Sequence, residues 1–387
     1  MNKIAVVTGT RSEYGLLQPL IDKIHKDTTL ELCLIVTGMH LSPEFGHTYK
    51  QIEADGYPIA EKIEMLLSSD TSIGVTKSMG LGLISFAEVY DRTKPELVIL
   101  LGDRYETFVA ATAATIANIH IAHLHGGELT EGAFDEAFRH SITKMSYLHF
   151  TSTEVYRKRV IQLGENPERV YNVGALGVEN IKNIPLLTKE SLEESIEFPI
   201  EPKLAIVTFH PVTLEKQSAG RQFKELLMAL DEFPDVKLIF TKANADTEGR
   251  QINKLIDEYI ERYPKRAIAF TSMGQLRYLS ALKYCDFVVG NSSSGIIEAP
   301  SFHIPTINIG NRQRGRVCSR TVINCESQRE AIKDAITYAL GEECKGKMLE
   351  YNNPYEQSST SDNILKVVKV FLSNKPKGLK KHFYDYN

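Results

Sequence analysis

Short apolar runs that alternate with longer amphipathic segments are the feature of this sequence that most restricts its fold. Runs rich in Val, Ile and Leu occur at 4–7, 32–36, 97–101, 119–122 and 147–150. Continuous apolar runs of this length are typical of strands that are covered on both faces, because a strand with one exposed face alternates apolar and polar side chains. The alternation therefore predicts an α/β fold, with a parallel sheet between two layers of helices.

The same alternation occurs a second time, with runs at 204–209, 236–240, 267–270, 287–289 and 306–309. At 387 residues the chain exceeds what one hydrophobic core usually supports. Between the two series, the polar and acidic stretch 172–202 predicts a hinge, which we place near residue 177. We therefore expect domains at 1–177 and 178–360, and a last segment, 361–387, whose helix packs back on the first domain.

Charge and cysteine content exclude several other classes of protein. A formal net charge of -4 provides no basic surface for nucleic acid, and no apolar stretch approaches the roughly 20 residues of a membrane span. The five cysteines are scattered without a metal-ligand spacing, which suits a reducing compartment, and the first residues carry no signal-peptide pattern. We therefore expect a cytoplasmic protein that binds neither nucleic acid nor membrane.

The first apolar run ends in TGTRSEYG at 8–15, and a helical pattern follows as far as Ile24. Free N–H groups and the positive dipole end at such a junction favour phosphate, and Arg11 would add a charge. A purely structural turn is the alternative. The stretch lacks the GxGxxG fingerprint of dinucleotide binding, so we expect no nicotinamide cofactor.

A second polar stretch, GDRYE at 102–106, follows the strongest of the predicted strands. It places Asp103 at the carboxyl end of the strand, where open α/β sheets bind their ligands. An Asp at this point is also a common helix N-cap, and on this stretch alone the cap is slightly favoured.

The densest group of titratable side chains lies in HLHGGE at 123–128 and DEAFRH at 135–140. Asp135 and Arg139 lie four residues apart on a predicted helix, so a plain surface ion pair is one explanation for them. The double glycine next to a strand end instead favours close approach of the backbone to a ligand. On balance the cluster predicts a functional site.

A metal site is the less favoured explanation for part of this cluster. His123, His125 and Glu128 are suitable ligand types. The alternation of a strand would distribute them over both faces of the sheet, so we expect no metal ion.

Two stretches of the second half also follow predicted strands. FHPVT at 209–213 places His210 at a strand end, and GNSSSGIIE at 290–298 opens a helix with small hydroxylated residues, which favours a diphosphate. The serines also suit plain helix capping. Glu298, about one turn further on, would reach ribose hydroxyls, and the cations of GNRQRGR at 310–316 would neutralise phosphate or simply solvate a loop.

Taken together, these stretches resemble the hydrolysing UDP-N-acetylglucosamine 2-epimerases of sialic-acid biosynthesis, over nearly the full length of the chain. That family has the GT-B fold, so the resemblance implies two Rossmann-like domains with the active site in the cleft between them. The supporting stretches are TGTRSEYG at 8–15, TGMHLSPEFG at 37–46, GDRYE at 102–106, HGGE at 125–128 with DEAFRHSITKMS at 135–146, FHPVT at 209–213, NADT at 244–247, GNSSSGIIEAPS at 290–301 and INIGNRQRGR at 307–316.

The resemblance also implies a reaction and the residues that perform it. UDP would leave by elimination across C1 and C2, and the resulting 2-acetamidoglucal would be hydrated to N-acetylmannosamine. Asp103 and Asp135 match the acid/base carboxylates, and Arg139 is counted among the catalytic residues with them. Some relatives have Glu-Gly-Gly-Glu where this chain has His125-Gly-Gly-Glu128, so either His125 or Glu128 would fill the third role. The implied UDP contacts are Arg11, His210, Ser292, Ser293 and Arg312 at the diphosphate, Glu298 at the ribose and Asn244 in the cleft.

Other functions stay open at this point. UDP-N,N'-diacetylbacillosamine is a related substrate, and the fold also supports UDP-sugar glycosyltransferases, because a fold does not determine a function. A non-catalytic nucleotide-sugar sensor is a third, less favoured alternative. The resemblance further implies a homo-oligomer, either a dimer or a tetramer, and no cofactor.

Overall fold

Alternating strands and helices occupy almost the whole chain. The computed structural model describes residues 1–67, 69, 71–131, 133–212, 215, 218–243 and 248–385. The strands within these residues are β1 (Asn2–Thr8), β2 (Leu30–Thr37), β3 (Ile59–Ile63), β4 (Leu97–Leu101), β5 (His120–Leu124), β6 (Leu148–Thr151), β7 (Val170–Asn172), β8 (Lys203–Thr208), β9 (Val236–Thr241), β10 (Ala267–Phe270), β11 (Phe287–Gly290), β12 (Thr306–Ile309) and β13 (Val322–Cys325). The α-helices are α1 (Arg11–Lys26), α2 (Tyr49–Ala54), α3 (Ser72–Thr93), α4 (Tyr105–Ile116), α5 (Asp135–Met145), α6 (Glu154–Gln162), α7 (Leu176–Asn183), α8 (Lys189–Ile196), α9 (Ala219–Asp231), α10 (Gly249–Arg262), α11 (Gln275–Tyr284), α12 (Ser294–Ile297), α13 (Arg329–Leu340), α14 (Glu342–Met348) and α15 (Thr360–Ser373).

The strands form two sheets with the same winding. The first has the order β3-β2-β1-β4-β5-β6-β7 and the second has the order β10-β9-β8-β11-β12-β13. All pairings within them are parallel. In each sheet the chain moves outward over three strands and then returns to the other side of the starting strand. The predicted doubled α/β architecture is confirmed, and each apolar run overlaps a strand.

Each sheet separates two apolar clusters, because successive side chains of a strand point to opposite faces. In β1, Ile4 and Val6 join one cluster while Ala5 and Val7 join the other. Strand β8 divides its side chains in the same way between two further clusters. No helix of the described residues is long and apolar enough to span a bilayer.

The chain divides into two compact units, each built from separate stretches of the sequence. Unit 1 contains Met1–Glu128, Asp135–Asn180 and Tyr355–Asn387, and unit 2 contains Leu129–Phe134 and Ile181–Pro354. The change after Asn180 lies inside α7, so the chain is helical at residue 177, near which the hinge is predicted.

The C-terminal segment is attached to unit 1 by buried polar contacts as well as by apolar packing. Glu179 on α7 accepts hydrogen bonds from the backbone N–H of Ser361 (2.8 Å) and from its hydroxyl (3.0 Å), at the start of α15. Further along, Lys381 donates to the Glu165 carboxylate and to the Ser146 carbonyl, both at 2.7 Å. Residues 355–385 are therefore an integral part of unit 1.

Candidate active site

Asp103 lies directly after β4, and its carboxylate is used in an ion pair. The N-cap of α4 is Arg104, whose side chain makes no capping hydrogen bond. The Nη2 group of Arg139 donates to Oδ2 of Asp103. The helix-cap explanation for Asp103 is therefore wrong, because the capping position lies one residue further on and the carboxylate faces a cation.

Arg139 is the centre of the polar cluster in unit 1. It is 2% exposed, and its Nη1 group donates to the carbonyl oxygen of His125 at 2.9 Å and lies 3.8 Å from Oε2 of Glu128. A planar guanidinium holds several acceptors in fixed directions, which an ammonium group does not. The surface ion-pair explanation for Arg139 is therefore wrong, since a buried cation here joins the polypeptide that follows β4 to the polypeptide that follows β5.

His125 and Glu128 form a second contact within the same cluster. Nδ1 of His125 lies 3.2 Å from Oε1 of Glu128, and the hydroxyl of Ser152 donates to the same oxygen at 2.7 Å. The side chains of His125 and Glu128 are 10% and 2% exposed. The side chains of Asp103, His125, Glu128 and Arg139 are thus brought together at the carboxyl ends of β4 and β5, and their catalytic roles stay predictions.

His123 lies in the same strand, but both of its ring nitrogens are already used. Nε2 donates to the carbonyl of Gly102 at 2.7 Å, because a carbonyl only accepts, and Nδ1 then accepts from the hydroxyl of Thr143 at 3.1 Å. Burial lowers the pKa of His123 to about 3, so the ring is neutral. In the described part of the chain, no three His, Cys, Asp or Glu side chains are arranged to hold a metal ion.

The double glycine of this cluster has close neighbours within the protein. A Cβ on Gly127, whose φ is +77°, would lie 2.6 Å from the carbonyl oxygen of Tyr156, and a Cβ on Gly126 would lie 3.0 Å from the Thr143 hydroxyl. Gly127 is required because its φ is positive and α6 packs closely against the turn, and a side chain on Gly126 would have to displace the Thr143 hydroxyl of α5. That the two glycines also admit a ligand to the backbone stays a prediction.

Asp135 and Arg11, the two other predicted residues of unit 1, each occupy the first position of a helix, α5 and α1 respectively. The junction before Arg11 is partly occupied by the protein itself. Oε2 of Glu13 accepts hydrogen bonds from the N–H groups of Gly9 (2.7 Å) and Thr10 (3.2 Å). Two of the amides expected to bind phosphate are thus satisfied, and the phosphate prediction depends on Arg11.

Glu13 and Glu106 form a carboxylate pair that the sequence analysis did not assign. Burial raises the pKa of Glu13 to about 7, with a further increase from the negative charge of Glu106, although Arg104 and the two backbone hydrogen bonds oppose it. Glu106 is 1% exposed and accepts from Nε of Arg104 at 3.3 Å. Glu106 lies in the GDRYE stretch, and its position just after a predicted strand is the sequence feature that could have identified it.

In unit 2, Asn291 organises the strand ends. It is 1% exposed, and its side-chain amide bonds both to the backbone N–H of His210 (2.7 Å) and to the His210 carbonyl (2.8 Å). Its own carbonyl accepts from Arg312 (3.1 Å) and from Gln313 (2.8 Å). Asn291, which the sequence analysis did not assign, therefore connects the predicted residues His210 and Arg312, and the likewise unassigned Gln313 is bonded to Asn291.

The serine-rich turn of unit 2 opens only a short helix. The following helix, α12, has four residues, so it contributes little dipole to an anion, contrary to the helix-terminus expectation. The capping explanation does not hold for Ser293, whose side chain makes no capping hydrogen bond. Ser292 accepts weakly from the N–H of Ser294 at 3.3 Å, and Tyr278 donates to the Ser294 hydroxyl at 2.6 Å.

Gly290, just before this turn, allows β8 and β11 to approach closely. Its φ is +138°, and a Cβ there would lie 1.9 Å from the carbonyl oxygen of Thr208. Glu298 follows α12 directly and is half-buried. Asn244, the remaining predicted contact, lies outside the described residues.

Comparison with known proteins identifies relatives over nearly the whole chain. The model of the family described as UDP-N-acetylglucosamine 2-epimerase matches residues 22–369. A Campylobacter jejuni protein named GDP/UDP-N,N'-diacetylbacillosamine 2-epimerase (hydrolyzing) is 45% identical over 324 residues, which cover 84% of each chain. The polysialic acid biosynthesis protein P7 of Escherichia coli is 39% identical over 386 residues, covering 100% of this chain and 98% of that protein.

Solved structures agree with the fold. The S. aureus MnaA-UDP structure matches with a TM-score of 0.79 at 19% identity, covering 100% of both chains. The UDP-GlcNAc 2-epimerase of Neisseria meningitidis, solved with UDP-GlcNAc bound, matches with a TM-score of 0.77 at 18% identity, covering 95% of this chain and 100% of that one. The two parallel sheets are thus the GT-B arrangement that the sequence predicted.

Proposed function

Because the chain belongs to the UDP-N-acetylglucosamine 2-epimerase family, we propose that it converts UDP-N-acetylglucosamine and water into N-acetylmannosamine and UDP. In the first half-reaction a base removes the C2 proton, the C–H electron pair becomes the C1=C2 bond, and the C1–O bond breaks with UDP as the leaving group. In the second half-reaction water adds across that double bond, with its oxygen on C1 and a proton on C2.

The observation that carries this proposal is the buried Arg139 and its contacts at the ends of β4 and β5. The C2 proton is weakly acidic, so the reaction needs positioned acid/base groups and a stabilised leaving group. Asp103 and Asp135 act as the acid/base carboxylates. Arg139 is a positioning residue, since it holds Asp103 in one orientation beside the turn that carries His125 and Glu128.

We propose that UDP is bound chiefly by residues of the second unit, and that the predicted domains at 1–177 and 178–360 correspond to the two compact units. Arg312 and His210 are held on the same Asn291, which supports a common ligand for them. Ser292 and Ser293 offer hydroxyl groups to the diphosphate, and Glu298 reaches the ribose. Arg11 adds a charge from the first unit, and Asn244 is a further contact.

A second substrate has specific support. The relative from Campylobacter jejuni, 45% identical, is named for a GDP- or UDP-linked N,N'-diacetylbacillosamine. That sugar differs from N-acetylglucosamine at C4 and C6, away from the bonds that react. The same acid/base groups would therefore serve both substrates, and the choice between them depends on the side chains that contact C4 and C6.

The test is to supply each UDP-sugar separately to the pure protein in deuterated water and to follow the products by NMR. We expect release of UDP without any acceptor, together with a free 2-epimerised sugar that carries deuterium at C2. The sugar with the higher kcat/KM is the substrate. Lack of UDP release from both sugars would contradict the proposal and favour a transferase. A lasting UDP-linked epimer would instead indicate a non-hydrolysing enzyme.

The protein is also proposed to work in the cytoplasm, where five unpaired cysteines are compatible with the reducing environment. We further propose that it is a homo-oligomer that packs through α3. One stripe of this helix exposes Ile73 (67%), Lys77, Leu81 (43%), Ile84 (64%) and Glu88 at helical spacing. In an antiparallel pair of α3 helices, Leu81 of one copy faces Ile84 of the other and Lys77 faces Glu88, so the stripe is complementary to itself.

A further inference from the structure

The His125 imidazole contacts a carboxylate through one of its two ring nitrogens. The Glu128 oxygen that lies 3.2 Å from Nδ1 also accepts from the Ser152 hydroxyl. An ionised carboxylate accepts hydrogen bonds and donates none, so the hydrogen of this contact is on Nδ1. A neutral imidazole carries one N–H, and Nε2 of His125 therefore presents a lone pair.

That lone pair has no partner within the protein. Nε2 of His125 is buried, and among the described residues no group hydrogen-bonds to it. An acceptor that loses water without gaining a partner destabilises the folded protein. The neighbouring His123 has no such deficit, because both of its nitrogens are bonded. The arrangement at His125 fits a side chain whose partner is a bound molecule.

The backbone of His125 is also held in an uncommon conformation. Its φ is +64°, in the left-handed region that a residue with a Cβ adopts only at a cost of about 1–2 kcal/mol. The N–H of His125 donates to the Phe150 carbonyl at 2.8 Å, and its carbonyl accepts from Arg139 at 2.9 Å. These two bonds fix the direction in which the imidazole leaves the strand end. A strained residue kept in place by a buried cation favours a functional role.

Resting on the proposed function, we infer that His125 is the base that removes the C2 proton and that Glu128 and Ser152 are positioning residues for it. Nε2 accepts the proton, and the C–H electron pair forms the C1=C2 bond. The C1–O bond breaks, and its electron pair leaves with UDP. During hydration a different group, one of the carboxylates, protonates C2 from the opposite face and recovers its proton from the water that adds to C1. The imidazolium then releases its proton to solvent.

His125→Asn tests the base, because asparagine tolerates a positive φ and the turn keeps its shape. We expect kcat to fall by about 10²–10⁴-fold, the usual range for loss of a general base, with UDP affinity and melting temperature close to those of the wild type. Turnover of this variant within a few fold of the wild type would overturn the inference.

His125→Gly supplies a second measurement that a structural role would not change. Glycine adopts the positive φ without strain and leaves space for a free imidazole. We expect added imidazole to restore turnover in proportion to its concentration. A glycine variant that still binds UDP but is not rescued would count against a role as base.

Glu128→Gln tests the orientation of the ring. Its amide can donate to Nδ1 and so select the other tautomer, in which Nε2 carries the hydrogen and is no longer a base. We expect kcat to fall by about 10²–10⁴-fold while KM changes little. Ser152→Ala removes one of the hydrogen bonds to Glu128, and we expect a loss of about tenfold or less. Equal effects on kcat and KM in Glu128→Gln would contradict a positioning role.

A matched control exists in the same unit. His149 and Glu165 form another buried imidazole–carboxylate pair, with Nε2 and Oε2 3.0 Å apart, which Lys381 and Lys144 neutralise. Glu165→Gln should lower the melting temperature and leave kcat per folded molecule unchanged. If wild-type protein releases no UDP from either sugar, the proposed function fails. If it does and the His125 variants match it, only the present inference fails.

Discussion

Arg139 is the residue on which the geometry of the candidate site most depends. One buried guanidinium donates both to the Asp103 carboxylate and to the backbone at His125. Removing one partner of a buried ion pair is expensive, since the remaining charge stays out of water without compensation. A change at Asp103 is therefore expected to lower both the reaction rate and the stability of the fold, and the two have to be measured separately.

Asp103→Asn is predicted to abolish measurable turnover and to leave UDP affinity within a few fold of the wild-type value. The amide cannot act as an acid or base, whereas the proposed UDP contacts lie mainly in the other unit. Turnover is measured by UDP release and affinity by calorimetry, with a thermal melt to establish that the variant is folded. A wild-type rate would remove Asp103 from the proposed mechanism.

Glu13 is predicted to make stability depend on pH between about 4.5 and 7. Its pKa is raised from an ordinary value of 4.5 to about 7 in the folded protein, mainly by burial of the carboxylate, although the residue as a whole is only half-buried. The stabilisation from this proton is therefore complete below pH 4.5 and is lost as pH rises through 7. Urea unfolding at several pH values should show a flatter profile in this window for Glu13→Gln than for the wild type.

Among the elements, interior strands were predicted well and edge strands less so. The central strands β1, β4 and β8 are almost wholly buried, so their sequences are continuously apolar. Of the four edge strands, β10 was predicted, whereas β3, β7 and β13 were not. Exposure on one side of β3 and β13 admits polar residues such as Glu61 and Asn324. Periodicity thus identified all the interior strands, and it failed at three of the four sheet edges.

The site was predicted to the level of strand ends and no further. GDRYE and HLHGGE each follow a central strand, which is enough to place Asp103 and His125 at one edge of a sheet. The contacts made by Ser152 and Asn291 depend on side-chain directions in segments distant along the chain, which a sequence pattern does not contain. The packing of the two glycines after His125 could not be predicted for the same reason, since their close neighbours belong to other helices.

A prediction at the scale of elements concerns the contact between α7 and α15. Glu179→Ala leaves the buried N–H and hydroxyl of Ser361 without their acceptor, and we expect unfolding free energy to fall by roughly 1–3 kcal/mol. Glu179→Gln keeps one oxygen acceptor and should lose less. Urea denaturation of both variants measures the difference, and equal losses would show that the hydrogen bonds do not account for it.

For the whole molecule, the α3 stripe predicts how copies of the chain associate. Ile84→Glu places a charge at the centre of the proposed contact, so we expect a monomer by light scattering at concentrations where the wild type is oligomeric. Leu349→Glu, which alters an equally exposed apolar side chain (74%) in unit 2, is the control and should not change the mass.

A charge exchange on the same helix tests the orientation of that contact. Lys77→Glu alone and Glu88→Lys alone each put like charges opposite one another in an antiparallel pair, and the double variant restores opposite charges. The single variants should therefore weaken association and the double variant should recover it. Recovery that fails would exclude the antiparallel arrangement of α3.

The interrupted course of unit 1 has a consequence for how the protein is made. Its apolar cluster around α1 is completed by Ile364 and Val368, which follow the whole of the Ile181–Pro354 segment. At about 5–20 residues per second, a ribosome needs roughly 10–35 s to synthesise that segment. For this time the nascent chain exposes an open apolar surface on its first unit, and unit 2 has time to fold before unit 1 is closed. Chaperone binding during translation is therefore expected at α1.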